Sequence, residues 1–114
     1  MALSKSSASI LSAVTTTQTS SAVDISASYE STIYVSIVQS GGTASSAATF
    51  QPQFSPDGGT TYYNGATYSA GTATGSYYWL VAVPDDATHI KVAYTQPGSN
   101  TGTCTAQVGK VTGL

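Results

Sequence analysis

The chain is 114 residues long and carries few charges: three lysines, no arginine, five acidic residues and a net charge of −2. At that length one core is expected, with roughly 60 to 70 per cent of the unfolded surface removed from water. Three scattered lysines cannot build the footprint that displaces phosphate counterions, which excludes nucleic acid as a partner. No run reaches the ~18 to 20 apolar residues that a membrane-spanning helix needs.

Serine and threonine make up about a third of the chain, so its surface is expected to consist of neutral hydroxyls. Eight tyrosines, two phenylalanines and one tryptophan supply the aromatic area that disordered chains lack. Cys104 is alone, so an internal disulfide is impossible, and one cysteine with one histidine cannot form a zinc cluster.

Residues 1–20 are rich in Ser, Thr and Ala and read as an N-terminal arm with a short strand around residues 10–15. Its apolar residues Ile10, Leu11 and Val14 are candidate contacts, and the run is too short for the apolar region of a secretory signal. From residue 21 onward the apolar residues recur with period two, the pattern of half-buried strands. A first strand is predicted over residues 22–26, where Val23 and Ile25 share a face. A clearer one covers 31–39, with Ile33, Val35 and Ile37 on one side and Tyr34 and Ser36 on the other.

Residues 47–54 continue the alternation with Phe50 and Phe54 inward, and Pro52 between them predicts an edge or a bulge. Short pieces follow at 60–63 and 66–69, then a strong strand at 76–83 with Tyr77, Trp79, Val81 and Val83 in phase and Tyr78 opposite. Residues 88–95 place Ile90, Val92 and Tyr94 together, and residues 103–111 place Cys104, Ala106 and Val108 inward. The expectation is an all-β sandwich, jelly-roll-like or immunoglobulin-like, of seven to eight short antiparallel strands over residues 21–114.

The densest local motif is the turn Ser55, Pro56, Asp57, Gly58, Gly59, Thr60, Thr61, Tyr62. Asp57 can accept bonds from nearby amides, the two glycines permit positive φ, and Tyr62 can fold back over the hairpin. It resembles the Asp-box of sialidases, with tyrosine for tryptophan. There is one copy, however, and no arginine to hold a carboxylate substrate, so the motif is read as a structural turn. His89 could pair with Asp85 or Asp86, but the chain lacks a nucleophile elbow, and His89 falls on the outward phase of its strand. The acidic residues lie in separate turns without the spacing of a calcium loop. No catalytic residue, metal or cofactor is expected.

The segment from Tyr62 to Trp79 is crowded with aromatics, which beside hydroxyls can stack on sugar rings, although half of them must face the core. The outward candidates for contact are Tyr34, Tyr63 and Tyr78.

The ordered set over residues 23–108 resembles the small β-sandwich virion proteins of tailed bacteriophages, particularly capsid decoration or cement proteins. It consists of the Val35-x-Ile37 strand, Phe50 followed by the Ser55–Asp57–Gly58–Gly59–Thr61–Tyr62 turn, the tyrosine-rich strand, and a strand running from Pro84 through Thr88, His89, Ile90 and Val92 to Tyr94. The resemblance implies a non-enzymatic protein on the capsid surface, with the major capsid protein and other copies of itself as partners, often as a trimer. The alternative is a carbohydrate-binding or host-adhesion module of a phage tail or bacterial surface.

Overall fold

The computed structural model describes residues 3–113. Where the sequence alternates, the chain is extended, and pairing of its backbone groups assembles ten strands: β1 (Leu3–Val14), β2 (Gln18–Thr19), β3 (Val23–Asp24), β4 (Ser28–Ser40), β5 (Thr49–Ser55), β6 (Tyr63–Asn64), β7 (Tyr68–Ser69), β8 (Gly75–Ala82), β9 (His89–Thr95) and β10 (Thr101–Gly113). They form two antiparallel sheets that pack as a sandwich. The first has the order β1-β10-β4-β8. The second is built on β9 and β5, with β2 and β3 on the free side of β9 and β6 and β7 on the free side of β5.

Alternation decides which side chains meet between the sheets. Ile33, Val35 and Ile37 of β4 stand in register with Val108, Ala106 and Cys104 of β10, and all six are buried. They face Phe50, Ile90, Val92 and Tyr94 of the second sheet, also buried. Each large apolar side chain fully buried in this way contributes roughly 1.5–3 kcal/mol. Phe50 centres an aromatic cluster, stacked on Tyr68 at 4.8 Å and meeting Trp79 edge-on at 5.1 Å. Tyr77 and Trp79 thus point inward as their phase predicts.

The expected number of seven to eight strands falls short of ten because β2, β3, β6 and β7 are two-residue pieces, too brief to show a period. The larger difference lies in the expected arm, residues 1–20, whose first two residues are outside the described ones. Residues 3–14 form a long edge strand, paired with β10 from Leu3↔Gly113 to Val14↔Cys104. Few apolar residues mark it, because its backbone does most of the pairing: β10 would otherwise leave a row of N–H and C=O groups bare. The chain then continues through Ser20, whose amide donates to Val92 O at 2.9 Å and whose hydroxyl accepts from Val92 N at 3.0 Å.

Pro52 lies on neither an edge nor a bulge. β7 pairs with Thr49 and Phe50 and β6 with Gln53 and Phe54, so Pro52 faces the gap between these two short strands. Its carbonyl accepts from Gly65 N at 2.8 Å on that side, where the missing proline N–H leaves no partner unpaired.

Candidate functional site

The outer face of the first sheet is set by the residues that alternate with the core. On β4 these are Tyr34, Ser36 and Val38, and the register places Tyr34 opposite Leu80, Ser36 opposite Tyr78 and Val38 opposite Ser76 on β8. On the other side β10 contributes Gln107 beside Tyr34 and Thr105 beside Ser36. Tyr78 is 74% exposed, Leu80 70% and Tyr34 50%, which is unusual for large apolar side chains gathered on one face. Small Ser36 leaves a dip between its bulky neighbours. The resulting recess of about 250 Å³ is lined by Tyr34, Ser36, Tyr78, Leu80, Thr105 and Gln107 as well as strand backbone, and carries no charge.

Charge enters this face only toward its far end. A second hollow, of about 420 Å³, shares Tyr34 and is bordered by Lys5, Glu30, Thr32 and Lys110. Tyr34 therefore divides a neutral aromatic recess from a mixed-charge one.

The expected contact residues do not all come together. Tyr34 and Tyr78 share the recess, but Tyr63 lies on the second sheet, exposed beside a separate hollow with Phe54, Pro56 and Pro84. Leu11 is 3% exposed and belongs to the core, and Ile10 and Val14 pack against it half-buried. The cause is a register shift in β1 between Ser9 and Leu11, which turns two successive residues toward the interior. These three are corrected from surface contacts to packing residues. The aromatic segment is likewise dispersed: Tyr68 stacks in the core, Tyr62 sits beneath Lys91 Nζ at 4.3 Å from its ring centre, and only Tyr78 and the adjoining Trp79 of that segment line the recess. Leu80, Thr105 and Gln107 were not singled out from the sequence, because only cross-strand register joins them to Tyr34.

The Asp-box-like turn is bonded throughout. The Ser55 hydroxyl donates to Asp57 Oδ1 at 2.8 Å and accepts from Gly59 N at 2.9 Å, while Thr61 N donates to Asp57 Oδ1 at 2.9 Å. Gly58 and Gly59 take φ of 76° and 90°. The Thr61 amide and the Ser55 hydroxyl hold the Asp57 carboxyl below its usual range. Thr88 ties the turn to β9, donating its hydroxyl to Ser55 O at 3.1 Å and accepting from Gly58 N at 3.0 Å.

His89 is half-buried and lies 4.0 Å from Asp24, not beside Asp85 or Asp86. The hydroxyl nearest its Nδ1, at 3.0 Å, is that of Thr88, already committed to the turn. Among the described residues no three His, Cys, Asp or Glu side chains cluster as metal ligands.

No protein-family model matches the chain, and no curated protein sequence matches it. Solved structures do share its fold. The SPBc2 prophage-derived protein YomS aligns with a TM-score of 0.61 at 12% identity, covering 98% of this chain and 96% of that one. A chain in the structure of infectious bursal disease virus, Gx strain, aligns with a TM-score of 0.52 at 10% identity; the match covers 96% of this chain but only 32% of the viral one. A family 16 carbohydrate-binding module aligns at 0.47 and 15% identity, covering 82% and 69%. At these identities the likeness is one of fold.

Proposed function

We propose that this chain is a structural virion protein of a tailed bacteriophage, one that binds the outer surface of the capsid and stabilises the head. The observation that carries the reading is the neutral Tyr34–Tyr78–Leu80 face, standing exposed on the outside of the first sheet. Such a face suits contact repeated over a lattice: each docking event removes aromatic area from water without desolvating a charge. Neighbouring sites on a shell then add effective concentration. Similarity of fold to a prophage-derived protein over nearly the whole of both chains supports the same reading.

The test is addition of the protein to expanded, undecorated shells of its own phage. Saturable binding is expected, weakened about tenfold or more by Tyr78→Ala, as for an anchor near the centre of an interface. Absence of saturable binding would sink the proposal.

A second reading, a sugar-binding or adhesion module, is favoured by the same recess, where two tyrosines stand beside the Gln107 amide and the Ser36 and Thr105 hydroxyls. Glycan-array signal that disappears in Tyr78→Ala, together with no shell binding, would decide for it.

A further inference from the structure

Open sheet edges offer rows of unpaired N–H and C=O groups, and soluble proteins blunt them by shortness, bulges, charge or proline. Three of the four edge regions here are treated in that way. On the second sheet the outermost strands β2, β3, β6 and β7 are two residues each. On the first sheet β1 carries register shifts between Ser9 and Leu11 and between Leu11 and Val14, a positive φ of 49° at Ala13, and the exposed Lys5.

β8 has none of these devices. Its register with β4 runs unbroken from Gly75↔Gln39 to Ala82↔Thr32, and the sequence Gly-Ser-Tyr-Tyr-Trp-Leu-Val-Ala contains no charge and no proline. Val83 N donates to Ser31 O at 3.3 Å, which marks that pair as a bonded one. Bonded and non-bonded pairs alternate in an antiparallel ladder, so Tyr77, Trp79 and Val81 spend their backbone groups on β4. Ser76, Tyr78, Leu80 and Ala82 turn theirs outward, where no backbone or side-chain hydrogen bond reaches them among the described residues. Tyr77 and Trp79, although they face inward, stay half-buried because nothing closes the sandwich on that side.

We propose that β8 pairs antiparallel with β8 of a second copy about a two-fold axis at Trp79, joining the two first sheets into one continuous sheet. In this register Tyr78 lies opposite the partner's Leu80 and Ser76 opposite the partner's Ala82, so all four outward-turned residues are bonded. Moving the axis to Tyr78 sets Ala82 against the partner's Thr74, beyond the strand. Moving it to Leu80 sets Ser76 against the partner's Pro84, which has no N–H to give. Charge agrees with self-pairing. The nearest acids, Asp85 and Asp86, fall opposite the partner's Ala73 and Thr72, so like charges are not opposed. Tyr78 and Leu80 of both copies then form one apolar surface spanning the junction, with the recesses on either side of it.

The interface is isologous, as a two-fold axis requires, and differs from the trimer implied by resemblance. It is tested without capsids, so its failure would leave the shell-binding proposal untouched. Sedimentation of the full chain from micromolar to millimolar concentration should show a monomer–dimer equilibrium, with the amides of Ser76, Tyr78, Leu80 and Ala82 gaining hydrogen-exchange protection as dimer forms. Leu80→Pro removes an N–H that β4 does not use. It should raise the dimer dissociation constant at least about tenfold while the β circular-dichroism signal persists. Leu80→Lys, which keeps every backbone group, should act in the same direction and serves if the proline variant does not fold. A monomer at all concentrations, a dimer in which those four amides exchange freely, or a dimer indifferent to both substitutions would overturn the proposal. So would protection of this edge that arises only when shells are added.

Discussion

The ring of Tyr34 lies against the bare backbone of Gly109 on the neighbouring strand: a β-carbon at Gly109 would stand 3.0 Å from Tyr34 Cε1. Gly109 faces outward opposite Thr32, so the absence of a side chain there gives the tyrosine its seat and sets one wall of the recess. Gly109→Ala should displace the ring toward Gln107 and Leu80, weakening shell binding several-fold. Stability should change by less than about 1 kcal/mol, because alanine suits a strand better than glycine and the exposed ring can move. Affinity and urea midpoint measured on the same variant check this, and an unchanged affinity would show that the seat of Tyr34 does not matter for docking.

Ser55 is fully buried and has two jobs, donating to Asp57 and accepting from Gly59 N. Ser55→Ala removes both and leaves turn groups without a partner. A loss of about 1–3 kcal/mol is expected from denaturant unfolding, with the β spectrum retained. Ser55→Thr is expected to be a poorer substitute than its chemistry suggests, since it adds a methyl at a fully buried site.

Asp57 makes the turn sensitive to acid. Its folded pKa lies below the ordinary 3.8, chiefly because Thr61 N and then the Ser55 hydroxyl bond the ionised form. A depressed pKa means that the stabilisation is present above 3.8 and is lost as pH falls through the lower folded value. Asp24 behaves in the same direction through Ser26. Thermal unfolding followed downward from pH 5 should therefore show a drop below pH ~4 that is shallower in Asp57→Asn. Identical slopes would remove the turn from the account of acid unfolding.

Much of the sandwich could be read from alternation alone, because Ile33, Val35 and Ile37, or Ile90, Val92 and Tyr94, can share a face only if the chain is extended. The same rule separated Tyr78 from Trp79. It found only the end of β1, the short strand around residues 10–15, because the Ser and Ala residues before it carry little pattern and the place of the whole strand depends on bonds to β10. The recess was half legible for a related reason. Tyr34 and Tyr78 each face outward locally, but their meeting with Leu80, Thr105 and Gln107 is a property of register between β4, β8 and β10. Tyr63 has the same local signature and lands on the other sheet.

Because β1 is part of the sheet, deleting residues 1–14 should not leave an intact body. The loss would expose β10 as a new edge and uncover the core beside Leu11, which is 3% exposed. A point change isolates the packing share of this effect. Leu11→Ala should cost about 2–5 kcal/mol, whereas Ser12→Ala, at an exposed position of the same strand, should change little. Urea titrations distinguish them. A deletion variant with wild-type stability would return residues 3–14 to the status of an arm.

At high pH two core groups act together. Burial pushes the Cys104 thiol up to about 12, and burial followed by the neighbouring thiol pushes the Tyr94 phenol to about 12, from ordinary values of 9.0 and 10.0. For an acid whose folded pKa is raised, the contribution to stability is complete below the unfolded value and is lost as pH climbs toward the folded one. Unfolding free energy should thus begin to fall above pH 9.0, where an unfolded Cys104 ionises but the native one does not, and fall more steeply once Tyr94 joins above 10.0. The thiol is fully buried, so a thiol reagent at pH ~8 should modify it only at the rate of opening. Cys104→Ala should delay the alkaline loss until the tyrosine range. Rapid modification of native protein, with no loss of β signal, would mean that the space between β10 and the second sheet admits solvent.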